Sequence, residues 1–208
     1  MIYMQSIGNT IKTRFVKGSK FVASCLGNAC FNKHNSEMVK FKNSKISYDV
    51  SNRDYQKLID EKYYPMDFLD IDSLKNKKVL DVGSGRGAFV RALKKKGIDI
   101  IGIDKSLDKD VVYDESVICA NAQSMPFKQD LFDFIYSTWS ILTYSSESKE
   151  IKLNVIKEMT RVLKPNGRIR LSPIEPTKII KLIKKNNLPL KVTYLNPEYA
   201  DVIELTKI

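Results

Sequence analysis

The sequence predicts an open α/β sheet with a parallel centre, helices on both faces and an antiparallel hairpin at its C-terminal end. From residue 51 onward, short apolar runs alternate with amphipathic segments. This alternation is typical of parallel strands, because neighbouring parallel strands are usually joined by a crossover helix. The last two apolar runs are connected only by a short turn around Asn196 and Pro197. That connection is too short for a crossover, so these two strands are predicted to be antiparallel.

A helix is predicted at the start of this region. Ser51 or Asn52 is a plausible N-cap, and Pro65 ends the pattern. The residues that follow helical spacing are Tyr55, Leu58, Ile59, Lys62 and Tyr63. Residues 66–69 are predicted to form a further turn.

The remaining elements follow in order along the chain. Buried strands are predicted at 78–82, 98–103, 117–120, 132–137 and 169–172, and the hairpin strands at 190–195 and 202–208. The helix at 88–96 stops at Gly97, and another begins at Pro176. A long helix between them is predicted from the apolar face of Ile151, Val155, Met159 and Val162, with 165–167 as its stop.

Composition restricts the class of protein. The chain has 208 residues, 43% of them hydrophobic, which is enough for a sizeable core. No apolar run approaches the roughly 18 residues that a membrane span needs, and no secretory signal is evident. Three cysteines cannot all pair, which favours a reducing compartment. We therefore expect a soluble, cytoplasmic globular protein.

Positive charge is concentrated near the N-terminus. The chain has a net charge of +11, and residues 1–50 carry eight basic and two acidic side chains, a net +6. This segment is interpreted as a separate basic arm or lid, partly ordered, followed by a domain at 51–208. Three functions are compatible with such an arm: binding nucleic-acid phosphates, organelle targeting, or partial ordering over the main domain.

A metal site is not predicted. Cys25, Cys30 and His34 have a spacing that loosely suggests a zinc cluster. Tetrahedral zinc requires a fourth ligand, and the segment offers none nearby. Reduced thiols and a surface imidazole are the simpler interpretation.

A glycine-rich loop follows the first strand of the domain. Residues 81–87 contain three alternating glycines, which permit a sharp turn and close approach of a ligand to the backbone. Their spacing, Gly-x-Gly-x-Gly, differs from the Gly-x-Gly-x-x-Gly of dinucleotide binders. Asp81 lies in an apolar strand, where a carboxylate needs partners. Loop amides, or an ammonium or water belonging to a ligand, are the candidates.

Asp104 ends the second strand of the domain and is a candidate ligand for ribose. It follows Asp81 by 23 residues. An acidic residue about 20 residues past a glycine turn commonly accepts hydrogen bonds from ribose hydroxyls. The alternative is an ordinary loop-capping aspartate. After this glycine loop, the ribose role is favoured.

Five segments, in order, resemble class I S-adenosylmethionine-dependent methyltransferases, closest to their ubiquinone-biosynthesis-like branch. Residues 79–87 resemble the family's first motif, and residues 100–106 its second. The other three segments are 120–127, which is similar to the part placed against adenine, 132–137, which is similar to the fourth strand, and 158–167, which is similar to the helix end before the fifth.

The resemblance implies a Rossmann-like, mostly parallel seven-stranded sheet and S-adenosyl-L-methionine as cofactor. The glycine loop would lie along the methionine and ribose portions. The cofactor-binding residues implied are Asp81, Gly83, Ser84, Gly85, Gly87, Asp104, Lys105, Asn121, Ala122 and Ser137. Two positions depart from the family pattern. Asn121 replaces the usual acid near the adenine amine but can still accept through its amide oxygen, and Asn166-Gly167 replaces the usual Gly-Gly.

The acceptor side is less defined by sequence. The segment after the fourth strand lacks the Asn/Asp-Pro-Pro-aromatic signature of enzymes that methylate nucleobase amines. Trp139 and Tyr144 are candidates for the acceptor wall or for packing under the next helix, and Tyr63 and Tyr64 for a lid or for helix packing. The only histidine, His34, lies in the arm. No catalytic residue is therefore predicted.

The favoured hypothesis is methyl transfer to a small molecule. The first alternative is an RNA methyltransferase that holds phosphates with its basic arm. The second is a non-catalytic cofactor-binding module that regulates a partner. A nicotinamide oxidoreductase fits the glycine spacing and downstream motifs poorly.

Overall fold

The computed structural model describes residues 4–7, 10–13, 55–60, 69–106, 116–143, 147–195 and 202–208. Several residues considered above lie outside these ranges. They are Cys25, Cys30, His34, Ser51, Asn52, Lys62, Tyr63, Tyr64, Pro65, Tyr144, Asn196 and Pro197. Residues 66–68 of the predicted turn and most of the basic arm at 1–50 also lie outside them.

Nine strands occur in the described residues. A separate two-stranded antiparallel sheet pairs β1 (Met4–Ile7) with β2 (Thr10–Thr13), a hairpin that the sequence patterns did not predict. The other strands are β3 (Lys78–Val82), β4 (Asp99–Asp104), β5 (Val117–Cys119), β6 (Phe132–Thr138), β7 (Leu163–Ser172), β8 (Leu190–Tyr194) and β9 (Ile203–Lys207). These seven form one sheet.

The seven-stranded sheet has the order β5-β4-β3-β6-β7-β9-β8. Pairing is parallel from β5 to β7, whereas β9 is antiparallel to both β7 and β8. The predicted fold class, an open and mostly parallel sheet with a C-terminal antiparallel hairpin, is confirmed. From β3 the chain adds β4 and β5 on one side and then β6 and β7 on the other. The strand order therefore reverses between β3 and β6, and such a topological switch point is where α/β sheets bind ligands.

The described helices are α1 (Tyr55–Asp60), α2 (Ile71–Leu74), α3 (Ala88–Lys95), α4 (Lys149–Val162) and α5 (Pro176–Lys185). Of these, α2 was not expected from the sequence. Its N-cap is Asp70, whose carboxylate accepts from the amides of Asp72 and Ser73. No helix among the described residues is long and apolar enough to cross a membrane.

Helices cover both faces of the sheet, because alternate strand residues point to opposite sides. On one face, Val79 and Phe134 pack with apolar residues of α1 and α3. On the other, Leu80 and Ile135 pack with apolar residues of α4 and α5. This arrangement leaves the ends of the central strands uncovered by the helices, and the candidate site lies at one of these ends.

The transition from α4 to β7 differs from the prediction. The helix ends at Val162, before Pro165, and strand pairing begins immediately at Leu163, which lies opposite Phe132. The register with β6 then shifts, and Asn166 adopts a left-handed backbone conformation with φ of 61°. The predicted turn residues are therefore an irregularity within β7. Pairing with β6 at Leu163 extends the strand toward the helix.

Candidate functional site

A cavity of about 340 Å³ lies at the carboxyl ends of β3, β4, β5 and β6. This volume falls at the lower end of the range typical of small-molecule sites. Each of these strands lines the cavity with its last residue or with the residue that follows it. The lining residues are Tyr55, Val82, Gly83, Ser84, Gly85, Ala88, Ile103, Asp104, Lys105, Ser106, Ala120, Asn121, Ala122, Thr138, Trp139, Ser140, Ile141 and Glu147.

The glycine loop between β3 and α3 forms one wall. The amides of Gly83 and Ser84 both donate to the carbonyl of Ile103, at 2.9 and 3.0 Å. These bonds attach the loop to the end of β4. The loop then closes with the Gly87 amide donating to the Ser84 carbonyl at 2.9 Å, and Gly87 enters α3 with φ of 72°.

Gly85 is the position where the loop is open to the cavity. Its φ is +53°, and a Cβ added there would meet no atom within 4 Å. By contrast, a Cβ at Gly83 would lie 2.5 Å from the Cβ of Ser140, and one at Gly87 would lie 2.5 Å from a methyl of Val117. The space beside Gly85 is therefore available to a ligand, whereas Gly83 and Gly87 are needed for close packing of the protein itself.

Asp104 connects the loop to the end of β4. One carboxylate oxygen accepts from the Gly85 amide at 2.9 Å, and the other accepts from the Ser106 amide at 2.8 Å. A carboxylate has about four acceptor positions. Asp104 therefore holds the backbone on both sides of the cavity and retains acceptor capacity for hydroxyl groups.

Asp81 is a buried acid beside this wall, a residue only 4% exposed. No described residue donates a hydrogen bond to its carboxylate, so the loop amides considered from the sequence do not serve it. Burial, together with the charge of Asp104, raises the pKa of Asp81 from its ordinary 3.8 to about 8. The group is therefore predominantly neutral at pH 7.

The loop after β5 supplies the opposite part of the cavity. Asn121 and Ala122 line it, and the side-chain oxygen of Asn121 accepts from the Gln123 amide at 2.9 Å. This bond defines which end of the Asn121 amide is oxygen. A carbonyl oxygen has two lone pairs, so one remains available for a ligand donor.

The remaining wall is partly aromatic and contains one carboxylate. Tyr55 reaches it from α1, where its ring packs 5.4 Å from that of Phe89. Trp139 follows β6 with a left-handed φ of 47°, and its amide donates to the carbonyl of Ser172 at 2.8 Å. Ile141 and Glu147 complete this side. We call Tyr55, Trp139, Ile141 and Glu147 the aromatic wall.

The structure brings seven of the ten predicted cofactor residues to the cavity. These are Gly83, Ser84, Gly85, Asp104, Lys105, Asn121 and Ala122. The other three, Asp81, Gly87 and Ser137, are buried and do not line it. Ser137 is 1% exposed, and its hydroxyl is hydrogen-bonded to that of Ser140, which does line the cavity.

Other cavity residues were not identified from the sequence. Tyr55 was interpreted only as a core position of a helix, and Glu147 was not considered. Helical spacing gives no indication that a residue far along the chain from the glycine loop reaches the same cavity. Trp139, weighed as a wall residue, does line it. No cluster of possible metal ligands occurs among the described residues.

Comparison with known proteins gives a family match over the cavity-forming region. Residues 80–171 match a family model described as a methyltransferase domain. Among curated proteins, the ubiquinone/menaquinone biosynthesis C-methyltransferase UbiE of Vibrio vulnificus is 33% identical over 106 residues, 44% of this chain and 39% of that protein. The demethylmenaquinone methyltransferase of Thermotoga maritima is 29% identical over 136 residues, which cover 62% of this chain and 57% of that protein.

A further relative is the biotin biosynthesis bifunctional protein BioHC of Cellvibrio japonicus, 30% identical over 115 residues, 52% of this chain and 22% of that protein. The chain thus spans less than two thirds of each of these relatives.

Solved structures share the fold. The PH0226 protein of Pyrococcus horikoshii has a TM-score of 0.52 at 18% identity, covering 76% of this chain and 92% of that one. A protein described as a SAM-dependent methyltransferase, from Methanosarcina mazei, has a TM-score of 0.50 at 18% identity, covering 70% and 98%.

Proposed function

We propose that this chain, whose residues 80–171 match a methyltransferase domain, is a class I methyltransferase that transfers a methyl group from S-adenosyl-L-methionine to a small-molecule acceptor. The observation that carries this proposal is the cavity at the switch point, in which the glycine loop, Asp104 and the Asn121 loop surround one space. When bound there, S-adenosylmethionine supplies an activated methyl group on a sulfonium. The protein then has to bind and orient the reactants.

The described residues fit this cofactor in four respects. Open space beside Gly85 admits the methionine and ribose portions close to the backbone. Asp104 has acceptor positions left for two ribose hydroxyls. Asp81 is a buried carboxyl without a donor among the described residues, and an ammonium group is a partner that would stabilise its charged form. Asn121 would accept from the adenine amine.

Wall chemistry supports a small acceptor that contains a ring. The Tyr55 and Trp139 rings of the aromatic wall offer flat apolar surface against which a ring can pack. The Glu147 carboxylate on this wall is a group that can take a proton from the molecule that receives the methyl group. The name of one relative refers to ubiquinone and menaquinone biosynthesis and that of another to demethylmenaquinone, which supports a ring-containing acceptor.

A second candidate function is RNA methylation. It is favoured by the net charge of +11, of which +6 falls in residues 1–50. The third hypothesis, a non-catalytic binding module, would require a cavity that lacks the groups needed to bind a methyl acceptor beside the cofactor. The aromatic wall argues against that.

Calorimetry tests the cofactor assignment. We expect S-adenosylmethionine and S-adenosylhomocysteine to bind, and NAD to bind far more weakly. Well-folded protein that binds neither methyl-donor species, or that binds NAD equally well, would contradict the proposal.

The acceptor class is tested separately with methyl-labelled S-adenosylmethionine. Incubation with a demethylated quinol and, in parallel, with total RNA should place label in the quinol fraction. Label found only in RNA would favour the second candidate.

A further inference from the structure

An ion pair on α4 makes its contacts with the loop that follows β5. Glu158 and Arg161 are paired through two bonds of 2.8 Å, from Nε to Oε1 and from Nη2 to Oε2. Glu158 Oε2 also accepts from the Met125 amide at 2.9 Å. Arg161 donates to the carbonyls of Phe127 and Met125, at 2.9 and 3.1 Å.

This pair is hydrogen-bonded to backbone groups at both ends of the segment 125–127. An exposed pair spaced i,i+3 on a helix contributes little by itself. Here the side chains are only 35% and 19% exposed for Arg161 and Glu158, and both also use their polar atoms on the loop backbone. The Arg161 guanidinium lowers the pKa of Glu158 through their hydrogen bond, so the pair stays charged at neutral pH. The contacts therefore restrain the loop as well as the helix.

The restrained segment is continuous with the cavity wall. Met125 and Phe127 are buried, and their side chains belong to the core that contains α4. A few residues earlier, the same loop turns back on itself, with the Ser124 amide donating to the Asn121 carbonyl at 3.0 Å. The position of Asn121 at the cavity therefore depends on where residues 125–127 are held.

We infer that Glu158 and Arg161 are positioning residues for recognition of the purine. By holding residues 125–127 against α4, the pair sets the place of the Asn121 side-chain oxygen. That oxygen then faces the exocyclic amine of adenine and disfavours a 6-oxo purine, whose oxygen would oppose it. This inference rests on the proposed function, because it assumes that an adenosyl group occupies the cavity.

The test is the variant Arg161→Met, with Lys164→Met as a matched control. Lys164 is also a partly exposed cation, 40% against 35%, and also pairs with a carboxylate, both Asp133 oxygens at 3.0 Å. Asp133 in turn accepts from the amide of Lys78. Lys78 is the first residue of β3, so this contact lies at the end of the strands that is opposite the cavity. Each substitution therefore removes an ion pair, but only Arg161→Met also removes hydrogen bonds to the loop backbone, those to the carbonyls of Met125 and Phe127.

The readout is the ratio of dissociation constants for S-inosylhomocysteine and S-adenosylhomocysteine, measured by calorimetry on the full chain. We expect a ratio above ten in the wild type and in Lys164→Met. In Arg161→Met, the dissociation constant of S-adenosylhomocysteine should rise about tenfold and the ratio should fall toward one. A role only in stability would lower the melting temperature and leave the ratio unchanged.

The possible failures are distinguishable. Wild-type protein that binds no S-adenosylhomocysteine would contradict the proposed function itself. Wild-type binding with an unchanged ratio in folded Arg161→Met would overturn this inference alone. If Arg161→Met does not fold, Glu158→Met decides, since methionine can neither accept from the Met125 amide nor pair with Arg161. An unchanged ratio in folded Glu158→Met would likewise overturn the inference, and a reduced ratio would support it.

Discussion

Replacing Asp81 by asparagine should remove a pH dependence of cofactor binding. In the protein without ligand the pKa of Asp81 is about 8, because the carboxyl is buried and lies near the charge of Asp104. If the ammonium group of the cofactor pairs with this carboxylate, binding below pH 8 must release the proton. The asparagine side chain in Asp81→Asn has nearly the same shape and is neutral at every pH, so the variant has no proton to release.

The pKa determines the size of the effect. With a pKa of about 8, half of the carboxyl is ionised at pH 8 and about one hundredth at pH 6. Between pH 8 and pH 6, wild-type affinity for S-adenosylhomocysteine should therefore fall by up to about 50-fold. The ligand's ammonium stays protonated across this range, so the change belongs to the protein. Affinity of Asp81→Asn should be nearly constant over the same range and below that of the wild type at pH 8.

Stability of the protein without ligand should change in a related way. The folded pKa of about 8 is above the ordinary 3.8, so between these values the folded protein holds a proton that the unfolded chain has lost. Stability therefore falls as pH rises through this window, by up to tenfold in the unfolding equilibrium constant per pH unit. Asp81→Asn should lack this slope and should gain stability relative to the wild type as pH approaches 8.

Calorimetry in two buffers of different ionisation enthalpy measures the protons released on binding. At pH 6.5 we expect about one proton for the wild type and close to none for Asp81→Asn. Denaturant unfolding at pH 5 and pH 8 measures how the free energy of unfolding changes with pH. Wild-type binding that releases no proton would refute the assignment of the ammonium to Asp81, and a stability slope that persists in Asp81→Asn would refute the raised pKa of this carboxyl.

Three further predictions concern the loop, the ribose acid and the arm. Gly85→Val should abolish S-adenosylhomocysteine binding measured by calorimetry, whereas Gly97→Val should not. Both glycines have positive φ and open space around a Cβ, but only Gly85 lines the cavity, so loss in both would indicate backbone strain instead. Asp104→Ala should weaken binding by removing charge-assisted hydrogen bonds worth about 1.5–3 kcal/mol each, and unchanged affinity in the folded variant would place the ribose elsewhere. If residues 1–50 do not hold RNA, filter binding at physiological salt should be weak with or without them. Submicromolar binding that is lost with residues 1–50, with a log–log salt slope of about −0.7 per phosphate contact, would favour the RNA alternative.

The fold and the glycine loop were predictable because both depend on local sequence patterns. Alternating apolar runs indicate which residues are buried in strands, and β3, β4, β6 and β9 agree with the predicted ranges to within one or two residues. The short connection after β8 predicted the antiparallel pairing of β9. The exception at β7 has a tertiary cause, since pairing of Leu163 with Phe132 extends the strand.

What the sequence by itself determined was therefore the class of sheet, the place of the glycine loop and the set of polar residues at strand ends. Only the tertiary structure decided how those residues are connected. Asp104 is bonded to Gly85 across 19 positions of the chain, and Arg161 to Met125 across 36. The protonation of Asp81 likewise depends on burial by other segments. Periodicity records which face of an element is buried, but hydrogen bonds and pKa shifts depend on distances between elements, which are set when the strands pair and the helices pack.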